Sequence, residues 1–195
     1  MPARLAAALL LAATATTQAP DPARTVFLKP AEQKKDVPFV PTPPEVVEAM
    51  VKLAGVRAGD VVYDLGCGDG RIVIAAVQVK GVRGVCVDID PERIHESRQN
   101  AQIAGVADRI RFVEGDLFEV PIEGASVVMM YLLPEVNLRL RPRLLSELRP
   151  GTRIVSHRFD LGDWTPQRRV AIPLPPYDYI LYRWVVPMRR VRPGS

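Results

Sequence analysis

Val61-Val62-Tyr63-Asp64-Leu65-Gly66-Cys67-Gly68-Asp69-Gly70-Arg71 decides how the rest of the chain is read. Two β-branched residues and a tyrosine run through Asp64 into three glycines at alternate positions, and the apolar run Ile72 to Val77 follows. The pattern is that of a strand, a tight glycine turn and the start of a helix. Glycine is required where the backbone takes positive φ, or where a ligand comes so close that a Cβ would collide. The spacing separates two kinds of cofactor. A dinucleotide site puts its third glycine three residues after the second, so that a pyrophosphate seats on the helix N-terminus. Arg71 stands at that position here, and Gly70 comes one residue early.

Outward from this turn, strand-like and helix-like segments alternate. Strands are expected over residues 60–65, 84–89, 109–113, 126–131 and 152–157. Helices are expected over 70–79, over 91–104 with Asp90 as cap and Gly105 as stop, and over 134–148 with a bend at Pro142. Before the first strand, Thr42 is expected to cap a helix with Pro43 at its first position, an apolar face through Val46, Val47, Met50, Val51 and Leu53, and an end near Gly55. The chain finishes differently. Runs over 170–174 and 179–186, joined by Pro175-Pro176-Tyr177-Asp178, suit an antiparallel hairpin. Repeated βα units imply an α/β fold, a Rossmann-like doubly wound and mostly parallel seven-strand sheet.

At 195 residues the chain is long enough for one domain with a real core and too short for two. Its net charge of +4 arises from scattered arginines, with no stacking aromatics interleaved, so a nucleic-acid surface is not expected. Cys67 and Cys86 fall in the glycine turn and the next strand, and both are expected to be buried small hydrophobes rather than a bonded pair. Residues 1–19 read as a secretory signal peptide: Arg4, then an apolar stretch from Leu5 to Ala15, then small residues. That stretch is too short for a permanent membrane span, which takes about 20 residues. An uncleaved tether or a mis-assigned start are the other readings. The protein is exported if the signal acts, and cytoplasmic otherwise. Residues 20–36 read as an extended linker, and residues 37–195 as the domain.

In an open parallel sheet the ligand lies over the carboxyl ends of the strands. Asp64 ends the first strand, Asp88 ends the second where it can accept two ribose hydroxyls, and Glu114-Gly115-Asp116-Leu117 follows the third, where a carboxylate can accept from an amino group of adenine. Strand-Asp-x-Gly-x-Gly-x-Gly resembles the first motif of the class I S-adenosylmethionine-dependent methyltransferases. The resemblance extends through Pro38-Phe39-Val40-Pro41-Thr42-Pro43, Ser156-His157-Arg158-Phe159 and Trp164-Thr165-Pro166. In that order these segments are similar to the small protein-lysine methyltransferases, which include archaeal broad-specificity enzymes and mitochondrial enzymes acting on the ATP synthase c-ring protein and the adenine nucleotide translocase. The resemblance implies cofactor binding by Asp64, Gly66, Gly68, Asp88 and Asp116, with residues 38–42 and the Tyr131 loop closing the site. Gly70 and Leu117 complete the candidate cofactor-binding set. A mouth lined by Asp64, Asp69, Asp88 and Asp116 suits a ligand carrying a sulfonium and an ammonium, and would repel a pyrophosphate. No metal is expected.

Acceptor chemistry narrows further. Tyr131-Leu132-Leu133-Pro134 lacks the Asn/Asp-Pro-Pro-aromatic motif of enzymes that methylate adenine or glutamine amino groups. Neither cysteine lies after the fourth or fifth strand, where a cytosine-C5 nucleophile is needed. An amine or hydroxyl acceptor is left, and the resemblance points first to an accessible lysine on a protein. A small-molecule N- or O-methyltransferase and a secreted cofactor-binding module without turnover stay open. Candidates for the acceptor channel are Tyr131, His157, Asp160 and Trp164, while His95 is expected on the surface.

Overall fold

A computed structural model describes residues 39–188 and the backbone of residues 26–27. The signal-like residues 1–19, most of the expected linker, Pro38 and the last seven residues lie outside the described ones. The elements are β1 (Val26–Phe27), α1 (Pro44–Ala54), β2 (Val61–Leu65), α2 (Arg71–Val77), β3 (Arg83–Asp88), α3 (Pro91–Ile103), β4 (Ile110–Glu114), β5 (Val127–Met130), α4 (Pro134–Glu147), β6 (Arg153–His157), β7 (Arg168–Leu174) and β8 (Tyr177–Val185). One sheet takes the order β1-β4-β3-β2-β5-β6-β8-β7. All pairings are parallel except those of β8 with β6 and with β7. The seven strands expected from sequence are therefore present, with the C-terminal antiparallel hairpin. The two-residue β1, inside the stretch read as a linker, adds an edge strand beside β4.

The strand sequences sort by alternation, as successive side chains point to opposite faces. Val62, Cys86, Val127, Met129 and Val155 join α1, α2 and α3 in one buried cluster. Tyr63, Leu65, Val85, Val87, Val128, Met130 and Ile154 join α4 in the other, through Val136, Leu140, Leu144 and Leu148. A fully buried leucine contributes about 1.5–3 kcal/mol, so Leu140 and Leu144 are a large part of what holds α4 to the sheet. Pro142 stands within α4. The arginines of α4 serve the fold: Arg143 donates to the carbonyls of Leu117 and Val120 at 2.9 Å each, and Arg139 lies over the Phe118 ring at 3.9 Å. Among the described residues no helix is long and apolar enough to cross a membrane.

Three local expectations change. Pro43 caps α1 and Pro44 is its first residue, while Thr42 is buried and turns its hydroxyl to His157 at 3.2 Å. The hairpin loop is only Pro175-Pro176, since Leu174 already pairs with Tyr177. Cys67 and Cys86 are buried as expected, but they are bonded to each other across the β2–β3 seam.

Candidate functional site

β2 has β3 on one side and β5 on the other, so the order of strands reverses beside it and a crevice opens at the carboxyl ends. A cavity of about 630 Å³ lies there, within the ~300–1,000 Å³ common for small-molecule sites. The glycine turn forms its floor. Gly66 and Gly68 take φ of +77° and +54°, and a Cβ on them would stand 2.6 Å from Leu132 and 2.5 Å from the Phe39 ring. The turn is anchored beneath by hydrogen bonds from the Gly66 and Cys67 amides to the Val87 carbonyl, at 2.8 and 3.0 Å.

Asp88 ends β3 and lines the cavity. Its Oδ2 accepts from the Gly68 amide at 2.8 Å and its Oδ1 from the Asp90 amide at 3.0 Å. Burial raises its pKa, against the lowering effect of those two amides. The carboxylate thus ties the glycine turn to the end of β3 while still facing the cavity. Asp116 and Leu117 line the opposite part, with the Phe118 amide donating to Asp116 Oδ1 at 2.8 Å. Replacing Asp88 by Ala removes a charged acceptor, a contact of about 1.5–3 kcal/mol. Calorimetry of the D88A protein should show S-adenosylmethionine bound at least about tenfold more weakly, with the fold kept. Unchanged affinity would take Asp88 out of the site.

Asp64 and Gly70 stand behind the cavity rather than in its lining. Gly70 has φ +80°, and a Cβ there would meet Ser97 of α3 at 2.9 Å, so this glycine serves helix packing. Asp64 is fully buried; its Oδ2 accepts from the Val73 amide of α2 at 3.2 Å, and Oδ1 has no hydrogen-bond partner. Burial pushes its pKa from the ordinary 3.8 to about 8. The folded protein therefore holds a proton that the unfolded chain loses near pH 4. By linkage, this group's contribution to stability is full below about pH 4 and declines as pH rises through about 8. The unfolding midpoint of the cofactor-free protein should fall between pH 6.5 and 8.5, and Asp64→Asn should flatten that fall. Parallel curves for the two proteins would place the proton elsewhere.

The proposed acceptor residues divide. Tyr131 lines the cavity. His157 is fully buried just behind it, its ring centroid 4.0 Å from that of Tyr131. Burial, with the Arg158 charge, lowers its pKa to about 4, so the imidazole is neutral near pH 7. Asp160 and Trp164 do not line the cavity. Asp160 is exposed and its Oδ1 accepts from the Gly162 amide. Trp164 packs 6.2 Å from Trp184, and its carbonyl accepts the Trp184 indole N–H at 2.6 Å. His95 is exposed, as expected.

Two cavity residues carry roles that sequence reasoning missed. Arg71 serves there only to exclude a dinucleotide. In the structure its Nε donates to Asp69 Oδ1 at 2.9 Å and its Nη1 to the Thr42 carbonyl at 2.8 Å, joining the turn to the segment before α1. Arg93 lies 4.9 Å above the Phe39 ring, which covers Gly68. The one available signal for Arg71 is its place as the first helical residue after the last glycine of the turn.

The cavity wall holds five carboxylates, Asp69, Asp88, Asp90, Glu92 and Asp116, against the guanidinium groups of Arg71 and Arg93. Such a wall fits a ligand with a sulfonium and an ammonium. The narrow floor over Gly66 and Gly68 and the acceptor at Asp88 fit its nucleoside. Fold and cavity together define a class I methyltransferase that uses S-adenosylmethionine.

Residues 64–168 match the ANTKMT methyltransferase domain, and the chain belongs to that family. It is 45% identical over 151 residues to a protein-lysine N-methyltransferase of Saccharolobus islandicus, covering 77% of this chain and 94% of that one. It is 35% identical over 130 residues to the mouse adenine nucleotide translocase lysine N-methyltransferase, covering 67% of this chain but only 56% of the mouse enzyme. A crystal structure described as an RNA methyltransferase from Salinibacter ruber, in complex with S-adenosyl-L-homocysteine, superposes with a TM-score of 0.72 at 50% identity, covering 80% of this chain and 98% of that one.

Proposed function

We propose that this chain is a protein-lysine N-methyltransferase. The observation that carries the reading is the charge of the cavity wall: five acidic residues line it against two arginines, and of these Asp69 is paired with Arg71 while Arg93 is paired with Glu96. A lysine ammonium is drawn to such a mouth, whereas a phosphodiester backbone is repelled. The names of the Saccharolobus and mouse relatives agree with a lysine acceptor, and that of the Salinibacter protein names RNA instead.

Bound S-adenosylmethionine supplies a methyl group on a sulfonium, to which a neutral amine can add as the carbon–sulfur bond breaks. The chain's own task is to hold and align. Asp88 and the Gly66–Gly68 floor fix the nucleoside end, and the acidic rim gathers the incoming ammonium. Phe39, Val40 and Leu132 give the mouth apolar surface, which favours the amine that has lost its proton. Recombinant protein, methyl-labelled cofactor and a cell extract test the reading. Label that survives nuclease and is lost to protease, with methyl-lysine found by mass spectrometry, is the expected result. Label lost to nuclease would transfer the reading to RNA, and label confined to small products would make the acceptor a small molecule.

We propose also that the protein works outside the cytosol. Its support is the apolar stretch from Leu5 to Ala15 behind Arg4, together with the Cys67–Cys86 disulfide, a bond that persists chiefly in oxidising compartments. Leu9→Arg should then hold the protein in the cytosol, because a charge opposes insertion of a short apolar core. Wild-type protein found in the cytosolic fraction with residues 1–19 intact would defeat this.

A further inference from the structure

His157 is the last residue of β6, and its backbone is pinned on both sides of a sharp turn. It pairs with Leu181 of β8, its carbonyl accepts from the Phe159 amide at 2.9 Å, and Arg158 between them takes φ 70°. The ring is therefore presented from a fixed post. On one face lies Tyr131, the residue after β5, at 4.0 Å between centroids, and Tyr179 of β8 lies at 5.6 Å. Its Nδ1 shares a hydrogen bond of 3.2 Å with the Thr42 hydroxyl, 115 residues away in sequence, and both side chains are buried. Nε2 is buried without a partner. Thr42 in turn ends the cavity-lining run Phe39-Val40-Pro41-Thr42, and its carbonyl receives Arg71 Nη1 at 2.8 Å.

Two walls of the cavity thus hang from one ring: the Tyr131 wall by its aromatic face, and the 39–42 wall by its Nδ1. We infer that His157 is a positioning residue of the transfer reaction, which sets Tyr131 and the Thr42 segment against each other on the side where the methyl acceptor enters. A simple packing role does not need a hydrogen-bonding atom on the ring, and an apolar ring of the same size would avoid the cost of burying an imidazole with one nitrogen unpaired. The floor that holds the cofactor, from Gly66 to Gly68 and Asp88, has anchors of its own on Val87 and Asp90, besides its link to Thr42 through Arg71. Changes at His157 are therefore expected to reach turnover and leave cofactor affinity alone.

The inference rests on the transfer reading above but not on the acceptor being lysine, and the test is chosen accordingly. Total methyl label passed to an unfractionated extract is measured for His157→Asn, His157→Gln and His157→Phe, with S-adenosylhomocysteine affinity by calorimetry on each. An asparagine amide sits where Nδ1 does, and a glutamine amide reaches only the place of Nε2. The Asn protein keeps the Nδ1 bond but not the ring beside Tyr131, and should lose less in kcat than the Gln and Phe proteins, which should each lose at least about tenfold, all three binding S-adenosylhomocysteine within about twofold of wild type. Full activity in the Phe protein would overturn the proposal in favour of packing, and rescue by Gln instead of Asn would overturn it in favour of Nε2. A reading independent of turnover comes from long-range proton–nitrogen spectra of the histidine rings. The Nδ1 resonance should move in Thr42→Val and stay in place in Thr42→Ser, and a resonance indifferent to both would overturn the proposal even where no acceptor is found in the extract.

Discussion

Gly68→Val should abolish measurable binding of S-adenosylmethionine while leaving a folded protein. Gly68 lies at φ +54°, a region that costs a residue with a Cβ roughly 1–2 kcal/mol, and more when that carbon is branched. Its Cβ would stand 2.5 Å from the Phe39 ring. Phe39 is 46% exposed and can swing out, so the collision does not unfold the domain. The isopropyl group then occupies the cavity floor, and any shift of the turn breaks the 2.8 Å bond from the Gly68 amide to Asp88. Both the space and the acceptor geometry for the nucleoside go together. Gly66→Val meets Leu132 at 2.6 Å, and because Leu132 is buried in the core this variant should lose stability as well as binding.

Gly59→Ala is the control. It carries the same kind of backbone strain at φ +88°, with nothing within 4 Å of the added carbon. It should lower the unfolding midpoint by a few degrees and leave cofactor affinity unchanged. Calorimetry on the three variants decides the matter: a Gly68→Val protein that binds within about threefold of wild type would show that the glycine turn is not the cofactor floor.

The parts of this molecule that follow from local pattern were legible in its sequence. The glycine spacing from Gly66 to Gly70, the strand-like runs in residues 61–65 and 127–130, and the Asp90-Pro91 helix start each act through neighbours in the chain. Asp88 could be placed at the mouth because the end of a parallel strand is the same place in any open sheet of this kind. What could not be read depends on pairing across distance. Thr42 has the sequence of a cap, but a histidine 115 residues away competes for its hydroxyl. Cys67 and Cys86 look like isolated core residues until the β2–β3 pairing brings their Cα atoms to 5.4 Å. Trp164 belongs to a conspicuous motif, yet its neighbour is Trp184 on the hairpin rather than the cavity. Gly70 is part of the turn in sequence and part of the α2–α3 contact in space.

The largest effect on stability is expected at the opposite end of the sheet from the cavity. Arg153 opens β6, is 9% exposed, and pairs through Nη2 with Asp60 just before β2. Its Nη1 also donates to the carbonyls of Ala54 and Gly55 at 3.2 and 2.6 Å, closing the C-terminus of α1. Burial opposes ionisation of Asp60, but the Arg57 amide, the Ser126 hydroxyl and Arg153 together hold its pKa below 3.8. It is therefore charged at neutral pH. Arg153→Met keeps the bulk of the stem and removes the charge, leaving a buried carboxylate without its counter-ion and two helix-end carbonyls without a donor. Breaking a buried pair in this way costs about 3–5 kcal/mol. Urea unfolding at pH 7 should show that loss. Adding Asp60→Asn to the same protein should recover part of it, because the stranded charge is then gone. Cofactor affinity should not change in either protein, since neither residue lines the cavity. A loss below about 1 kcal/mol for Arg153→Met would mean that water reaches Asp60 and that α1 is held to the sheet by its apolar face, through Val46, Val47, Met50 and Ala54, without help from this pair.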